Sequence, residues 1–578
     1  MTRVIEVSGA AELAAALDGV QDDVEVRLAD GVYRLAEPLR IEGAARVTLC
    51  AAAGARPVLS GGVVLDEWSV TPEGRWRTVV PESAGTPRQL YVHGIRAAWA
   101  RGPWMSSDEC SATSAGLSGV DISGWSRPED VEVVFKVRWR DFHCRVAAAS
   151  PELVTFANPA WTNSIAGTGR VGPHWDDTAV TTSRHQWSMF LTNEIELLRE
   201  PGSFVWNSGE RTVTYLPRPG ELLDQAETVV PVLEHLVIVE GATEVSLRGI
   251  TFRDTAWRQP STDDGYAGMQ AGLSLVGASG PPDMAGRFYT KPAAALTVRG
   301  GHEVEIVECC FTGLGGAGVI LEQGTTDSLV SGCRFTGISG GAVLIGDLDP
   351  HPDESQADAR NTVTLNTITD VGVEFTDSVG IWAGYTRELT ISQNTLENLP
   401  YSGISVGWGW NQPEAQDPWL GDNTIRGNRL VGVMRRESRH FDGGAVYTQG
   451  PQPGTVIAGN YINGVRQPSS ATDGDGVRHP SSGTDGNGIY LDEQSSHITV
   501  TGNVATRLGY KWVSNWAAYG TDNRAVGNWT DSTVTPPPSG KDSVMRNNRA
   551  GLTELPAEAV AVAERAGAGP WPAEVDLL

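Results

Sequence analysis

Residues 439–463 read RHFDGGAVYTQGPQPGTVIAGNYIN, and residues 485–503 read DGNGIYLDEQSSHITVTGN. Both stretches follow one pattern: a glycine-rich turn, a short run of β-branched and aromatic residues, a loop, a second β-branched run and an asparagine. A unit of this kind cannot bury its apolar face alone, but stacked copies bury a continuous core. The repetition therefore favours a solenoid of short strands.

The pattern continues over most of the chain after residue 230. Aligned on their last turn, the repeats place one residue at each corner: Ile250, Cys309, Cys333, Asn366, Asn394, Asn428, Asn460, Asn503, Asn528 and Asn548. Asparagine suits a corner because it tolerates the left-handed conformation and can pass amide hydrogen bonds to the same residue one coil away. Two positions later, large apolar residues recur: Phe252, Phe311, Phe335, Ile368, Leu396, Leu430 and Ile462. This column predicts the interior of a parallel β-helix.

The predicted fold class is all-β, a right-handed parallel β-helix with an inserted β-rich antiparallel domain and a short N-terminal capping helix. The handedness is inferred from the right-handed chirality of parallel crossovers. Residues 1–64 are expected to hold the cap, with Ser8 as helix N-cap, and the first coils. Residues 65–229 form the insertion, 230–550 the main β-helix with the active site, and 551–578 a C-terminal tail.

The formal net charge of −26, with only four lysines, would repel phosphate backbones and anionic membranes. Nucleic acid and membrane are therefore not expected partners, and a neutral carbohydrate is the easier ligand. No cofactor and no metal site is predicted, although calcium bound to acidic turns stays an alternative. With no signal peptide visible, the chain is expected to be cytoplasmic, or secreted if a signal was removed. The sequence does not indicate an oligomeric state.

Two columns of residues flank one family of strands. The strand ends give Glu322, Gly346, Gly384, Gly407, Gln449 and Asp492, and the preceding turns give Asp377, Asp442 and Asp485. A run of glycines beside one charged group is how a groove floor for a bulky ligand could be made. An aspartate before a glycine turn is also an ordinary turn former, and that interpretation stays open for each single residue.

Glycoside hydrolysis requires one neutral carboxyl to protonate the leaving oxygen and one ionised carboxylate to act on water or on the sugar. Asp442 and Asp492 lie on successive coils at opposite ends of equivalent strands, an offset compatible with about 6.5–9.5 Å, the inverting range. They are the predicted catalytic pair of a glycoside hydrolase. The predicted substrate-binding residues around them are Glu374, Asp377, Trp408, Trp410, Tyr447, Gln449, Asp485, Glu493, Lys511, Trp512 and Trp516.

The segments GIWAGYT, SGISVGWGW, DGGAVYTQGPQPGTVIAGNYI and GIYLDEQSSHITVTGN resemble the right-handed β-helix glycosidases of glycoside hydrolase family 141. That family includes an inverting α-L-fucosidase and xylan-cleaving relatives. The resemblance implies two catalytic aspartates, one in the DGG turn and one in the YLD strand, which fall on Asp442 and Asp492. We assign Asp442 as general acid and Asp492 as general base.

The chain departs from the family at residues 511–523, which read KWVSNWAAYGTDN where relatives often carry a histidine, and in the long insertion 465–487 between the two aspartates. The family's substrate is therefore not carried over. Two other functions stay open. A polysaccharide lyase or epimerase would need a proton acceptor such as Lys511 or Arg439, and a non-catalytic carbohydrate-binding β-helix would need none.

Overall fold

The structure is a computed structural model that describes residues 2–106, 114–117, 120–151, 153–165, 188–277, 287–351, 353–409, 417–466, 486–515, 520–534 and 540–569. The chain divides into two compact units. Within the described residues, unit 1 comprises 2–60, 235–253 and 294–569, and unit 2 comprises 61–234 and 254–293. The predicted catalytic residues belong to unit 1.

Unit 1 is built around three long parallel sheets, in which neighbouring strands come from successive coils. The first sheet contains Arg3–Val7, Val24–Leu28, Val47–Ala51, Val245–Arg248, Glu305–Val307, Leu329–Ser331, Thr362–Thr364, Thr390–Ser392, Thr424–Arg426, Val456–Ala458, Thr499–Thr501, Arg524–Val526 and Val544–Arg546. The second contains Leu39–Glu42, Val237–Glu240, Ala294–Arg299, Ala317–Glu322, Val343–Ile345, Ile381–Ala383, Ile404–Val406, Gly444–Thr448, Asn487–Leu491 and Val513–Asn515. The third contains Gly31–Arg34, Pro57–Ser60, Thr251–Thr255, Cys310–Leu314, Arg334–Ile338, Thr367–Thr369, Thr395–Glu397, Arg429–Val431, Tyr461–Val465, Val504–Leu508 and Trp529–Thr530. A short fourth pair joins Asp358–Ala359 to Thr386–Arg387.

The predicted interior column is confirmed. Phe252, Phe311 and Phe335 stack face to face, with ring centroids 4.7 and 4.8 Å apart. The aliphatic members that continue the column, from Ile368 to Ile462, are fully buried. Because parallel strands pair in register, side chains at equivalent positions of successive coils lie directly above one another and exclude water together. The core of unit 1 is thus a set of stacks along the coil axis.

The predicted asparagine ladder is also present. Each side-chain amide from Asn366 to Asn528 donates to the carboxamide oxygen of the next member, at 2.9–3.0 Å, and the ladder ends at Asn548. The expectation that these asparagines are left-handed is wrong. The positive φ angle belongs to the preceding residue, for example Gln393 at 54° and Gly427 at 60°. The turn places the asparagine inside, where its amide replaces water as a partner for backbone groups.

A short helix, Ala10–Leu17, lies at the N-terminal end and buries Leu13 and Leu17. Its N-cap is Gly9 rather than the predicted Ser8, because Ser8 instead donates to the carboxylate of Glu12. A second helix of unit 1, Ala557–Arg565, follows the last coil. Short 3-10 turns of unit 1 lie at Glu354–Gln356 and Arg436–Ser438. Within the described residues, no helix is long and apolar enough to cross a membrane.

Unit 2 is a β-rich body with mostly antiparallel pairing. Its strands are Gly62–Val64, Ser69–Val70, Trp76–Val79, Tyr91–Val92, Ile95–Arg96, Ala98–Trp99, Met105–Ser106, Ser114–Ala115, Glu132–Val137, Arg140–Ala149, Val154–Phe156, Ser188–Thr192, Ser203–Asn207, Thr212–Leu216, Thr228–Pro231, Tyr266–Gln270, Leu273–Gly277 and Arg287–Thr290. It also holds the helix Ala160–Ile165 and the 3-10 turns Glu82–Ala84, Pro128–Asp130, Ile195–Leu197, Leu223–Gln225 and Gln259–Ser261.

One segment of unit 2 lies outside the predicted insertion. Residues 254–293 were assigned from sequence to the main β-helix, but they pack within unit 2. The physical reason is strand pairing: Tyr266–Gln270 adds antiparallel to Arg140–Ala149, with Phe142 opposite Ala267 and His143 opposite Tyr266. Unit 2 is therefore formed by two separate insertions between the coils, residues 61–234 and 254–293. The predicted boundary at residue 230 leaves out the second of them.

Candidate active site

The site is built on two neighbouring strands of the second sheet, Gly444–Thr448 and Asn487–Leu491. They pair in parallel, with Tyr447 opposite Tyr490. Val446 and Ile489 are fully buried in the coil interior, so the strand alternation turns the two tyrosines to the opposite face. Their rings meet edge to face, with centroids 5.5 Å apart. The pair forms a rigid floor between the two predicted catalytic turns.

Asp442 lies in the turn before the first of these strands. Its φ of 63° is left-handed, a conformation that aspartate tolerates better than most residues. The hydroxyl of Tyr401 donates to the backbone carbonyl of Asp442 at 2.8 Å, and this contact fixes the turn. The hydroxyl of Tyr490 donates to Asp442 Oδ1 at 3.1 Å. The turn thus presents its carboxyl to the tyrosine pair.

Asp492 directly follows the second strand. The hydroxyl of Tyr447 donates to Asp492 Oδ2 at 2.6 Å and accepts from Gln449 Nε2 at 2.9 Å. Tyr490, paired with Tyr447, adjoins the Asp492 carboxyl and favours its ionised form. The two carboxyls are therefore linked through the tyrosine pair, Asp442 to Tyr490 and Asp492 to Tyr447.

A third carboxyl adjoins the pair. Glu493 is 7% exposed, and burial together with the charge of Asp442 raises its pKa to about 7. Burial, reinforced by the charge of Glu493, raises the pKa of Asp492 to about 7, although the tyrosine hydroxyls favour its ionised form. Three carboxyls this close cannot all ionise at neutral pH, so the cluster keeps a proton available. A carboxyl that stays protonated near pH 7 can act as a general acid.

The structure brings together five of the predicted site residues: Asp442, Asp492, Tyr447, Gln449 and Glu493. Trp410, Asp485 and Trp516 lie outside the described residues. That these three side chains bind a sugar stays a prediction.

Four other predicted residues lie in different surroundings. Trp408, predicted to bind substrate, is 4% exposed and packs edge to face on Trp382 at 6.0 Å. Trp512 is 2% exposed. Asp377 has no exposed surface, so no sugar reaches it directly. The ammonium of Lys511 lies over the ring of Tyr510, 4.8 Å from its centroid. The two tryptophans are packing residues here rather than open sugar platforms.

Glu374 and Asp377 lie on either side of a short loop that contacts His440, just before the turn of Asp442. Glu374 Oε2 accepts from Ser339 Oγ at 2.9 Å. Thr376 Oγ1 lies 2.8 Å from Nε2 of the buried His440, two residues before Asp442. The loop therefore positions the turn. The strand registers place Asp377, Pro400 and Asp442 at equivalent positions on three successive coils. A coil that carries Pro400 therefore separates the two aspartates, and their carboxylates do not stack on adjacent coils.

The glycine column does not form an open floor. A Cβ on Gly407 would lie 1.9 Å from the carbonyl oxygen of Gln449, and one on Gly384 would lie 2.2 Å from that of Asp347. Both glycines are buried. They are glycines because the backbone of a neighbouring coil approaches too closely for a side chain. The groove interpretation of this column is therefore wrong.

Sequence reasoning missed two tyrosines of the site. Neither Tyr490 nor Tyr401 is among the residues predicted from sequence. The alignment of GAVYTQ with GIYLDE offers a signal for Tyr490, because it places Tyr447 and Tyr490 on successive coils beside the two aspartates. The hydroxyl of Tyr401 donates to the backbone of a turn 41 residues away, and no local sequence pattern predicts that contact.

Comparison with known proteins bears on the fold. A family model described as right handed beta helix region matches residues 294–535. The fold of this chain is a right-handed parallel β-helix. The predicted fold class is thereby confirmed.

One solved structure, named "Glycoside hydrolase", has a TM-score of 0.72 at 23% sequence identity, and the match covers 94% of this chain and 91% of that chain. Two others are a complex of XylC with xylose, with a TM-score of 0.36, 10% identity and coverage of 95% and 86%, and an alginate lyase from Paenibacillus sp. str. FPU-7, with 0.35, 9%, 95% and 99%. The first shares the fold over almost its whole length, and the other two are too distant to inform function. No curated protein matches the chain.

Proposed function

We propose that this protein is a glycoside hydrolase whose catalytic carboxyls are Asp442 and Asp492. The observation that carries the proposal is the tyrosine pair that joins them: the hydroxyl of Tyr490 donates to Asp442 and that of Tyr447 donates to Asp492. Cleavage of a glycosidic bond needs two neighbouring carboxyls with different protonation states. The likeness to a structure named "Glycoside hydrolase" supports the hydrolase activity.

The environments of the two residues favour a division of roles opposite to the first assignment. Burial and the neighbouring Glu493 raise the pKa of Asp492 to about 7, which suits the proton donor to the leaving oxygen. Asp442 then serves as the base that activates water. In the proposed reaction the anomeric configuration inverts, because water attacks the face of the anomeric carbon opposite to the departing sugar.

The substrate class we propose is a neutral oligo- or polysaccharide. Asp442, Asp492 and Glu493 form an acidic cluster, and the whole chain carries a formal net charge of −26. A uronate carboxylate would be repelled at such a site unless a cation compensated for it. Neutral sugars carry only hydroxyls, which can donate to these carboxylates.

The experiment is a screen of aryl glycosides and of neutral plant and microbial oligosaccharides, with proton NMR of the first product. Release of a sugar with inverted anomeric configuration supports the full proposal. Retention would keep the hydrolase and overturn the inverting mechanism. A polyuronate is included in the screen, because release of an unsaturated product that absorbs in the ultraviolet from it would instead identify a lyase.

A further inference from the structure

A second cluster of ligating side chains lies in unit 1, on the loop that follows the strand Val343–Ile345. It consists of Asp347, His351 and Asp358, and one ligand atom from each lies within 4.8 Å of the others. Four steps of the parallel ladder separate this strand from Asn487–Leu491, which precedes Asp492. At about 4.8 Å per step this is roughly 19 Å, so the cluster is distinct from the candidate active site.

Asp417 holds the imidazole of His351 in one orientation. Its Nδ1 lies 2.6 Å from Oδ2 of Asp417, which also accepts from the backbone N–H of His351 at 2.9 Å. The other oxygen of Asp417 accepts from the backbone N–H of Trp419 at 2.8 Å. A carboxylate that accepts from one imidazole nitrogen fixes the tautomer and aims the other nitrogen, which is how metal-bound histidines are commonly supported.

The second imidazole nitrogen points into the cluster. His351 is 8% exposed, and its Nε2 is buried without a hydrogen-bond partner of acceptable geometry. It lies 3.4 Å from Asp347 Oδ2, a contact between charges rather than a formed hydrogen bond. A buried ring nitrogen oriented in this way, with two carboxyls in front of it, has the directionality of a metal ligand.

The two carboxyls are fixed by the coil. Asp358 has no exposed surface, and its Oδ1 accepts from the backbone N–H of Thr325 at 2.9 Å. Asp347 is partly exposed and forms an antiparallel bridge with Tyr385 on the next coil. The nearby cation Arg387 is engaged by Glu354 and Glu388. The cluster is therefore acidic and rigid, and it is open on the side of Asp347.

We propose that Asp347, His351 and Asp358 bind one divalent transition-metal ion, with Asp417 as the positioning residue for His351. One imidazole nitrogen and two carboxylate oxygens suit Zn²⁺ or Mn²⁺, whereas Ca²⁺ prefers an all-oxygen set of six or more ligands. Water completes the coordination on the exposed side. The ion ties Asp347 and His351 to Asp358 on the coil, and the proposal does not depend on the proposed hydrolase activity.

The test is metal binding by the whole chain, stripped with a chelator and then titrated with Zn²⁺, Mn²⁺ or Ca²⁺ alone. Isothermal calorimetry and elemental analysis after gel filtration should show about one Zn²⁺ or Mn²⁺ per chain, together with a higher melting temperature. His351→Gln and Asp358→Asn should each lose this binding, and Asp417→Asn should weaken it about 10- to 100-fold. The control is His497→Gln, because His497 is exposed and lies 3.4 Å from Asp522 alone.

Three outcomes would overturn the proposal: no ion bound by the unaltered chain, unchanged binding in His351→Gln, or tighter binding of Ca²⁺ than of Zn²⁺ and Mn²⁺. The first two would leave His351 as an imidazolium that bridges Asp347 and Asp417. The unaltered chain is measured directly, so the result stands even if Asp358→Asn does not fold. The melting temperature of each metal-free variant shows whether it does.

Discussion

The hydroxyl of Tyr490 is the point where the candidate active site is assembled. It donates to Asp442, while the adjoining Tyr447 donates to Asp492, 50 residues further along the chain. Two packed tyrosines that hold one carboxyl each fix the distance between two acidic groups that would otherwise repel each other. Its ring is buried against Tyr447, so the hydroxyl has little freedom to move.

Tyr490→Phe keeps the ring and removes only the hydroxyl that donates to Asp442. We expect kcat/KM to fall by about 10- to 100-fold, the loss typical of one hydrogen bond to a charged group, with an unchanged circular dichroism spectrum. The matched control is Tyr461→Phe, because Tyr461 lies on another sheet with its ring under Arg429. Equal activity of the two variants would remove Tyr490 from the site.

The pH profile should depend on Glu493. With Asp492 as the acid, activity declines as pH rises through about 7, because the donor loses its proton. The charge of Glu493 is one cause of the raised Asp492 pKa. Glu493→Gln removes that charge, so the alkaline limb of kcat/KM should move to lower pH. Glu397→Gln, at a half-exposed position on the third sheet, should leave the limb in place. A limb that moves upward in Glu493→Gln would contradict the assignment.

Stability should also respond to Asp492. The raised pKa of Asp492 lowers stability, because from about pH 4 upward the unfolded chain releases this proton while the folded chain keeps it up to about pH 7. The penalty is therefore absent below about pH 4 and complete above about pH 7. Asp492→Asn should raise the melting temperature at pH 8 more than at pH 5. At pH 8 its gain in unfolding free energy has a ceiling of about 4 kcal/mol. Calorimetry at both pH values measures it, with the exposed Asp22→Asn as control. A variant less stable at pH 8 than the parent would refute the raised pKa.

At the scale of the elements, the coil is held in register by its asparagine ladder. Asn428 Oδ1 accepts from the backbone and side-chain amides of Asn394, and its Nδ2 donates to Asn460 and to the carbonyl of Ile391. Each rung therefore serves buried backbone groups of two neighbouring coils. The register in turn fixes where the strand ends place Gln449 and Asp492.

Asn428→Ala should lower the unfolding free energy by about 2–4 kcal/mol, because it leaves a buried amide and a buried carbonyl without partners. Asn548→Ala is the matched comparison at the end of the ladder. That residue is partly exposed and passes no bond onward in the described residues, so its loss should cost about 1 kcal/mol. Chemical denaturation measures both. Equal losses would mean that burial of the ladder does not matter.

The repeat carried enough information to predict the ladder, the interior stack and the pairing register, because each depends on residues at fixed positions within one coil. It also located Asp442 and Asp492 correctly at the ends of neighbouring strands. The burial of Trp408 could not be predicted, since it depends on packing against Trp382 from another coil. The glycine column could not be interpreted correctly for a similar reason: its close neighbours are backbone atoms of neighbouring coils.

At the scale of the whole molecule, composition predicted a charge and a class of ligand but not the division of the chain. Unit 2 takes residues 254–293 through the pairing of Tyr266–Gln270 with Arg140–Ala149. Antiparallel pairing between segments more than 100 residues apart leaves no periodic trace in the sequence. The acidic cluster and the net charge of −26 agree in sign, which is why a neutral sugar is the expected substrate.

The most direct test of the account is the rate of product release by Asp442→Asn and Asp492→Asn, on a substrate identified by the glycoside screen. Each change keeps the size of the side chain and removes its ability to exchange a proton at neutral pH. We expect each variant to lose about 10²- to 10⁴-fold in kcat while Asp22→Asn keeps full activity. Either variant with near-parental kcat and an intact fold would contradict the claim that these two aspartates are the catalytic pair.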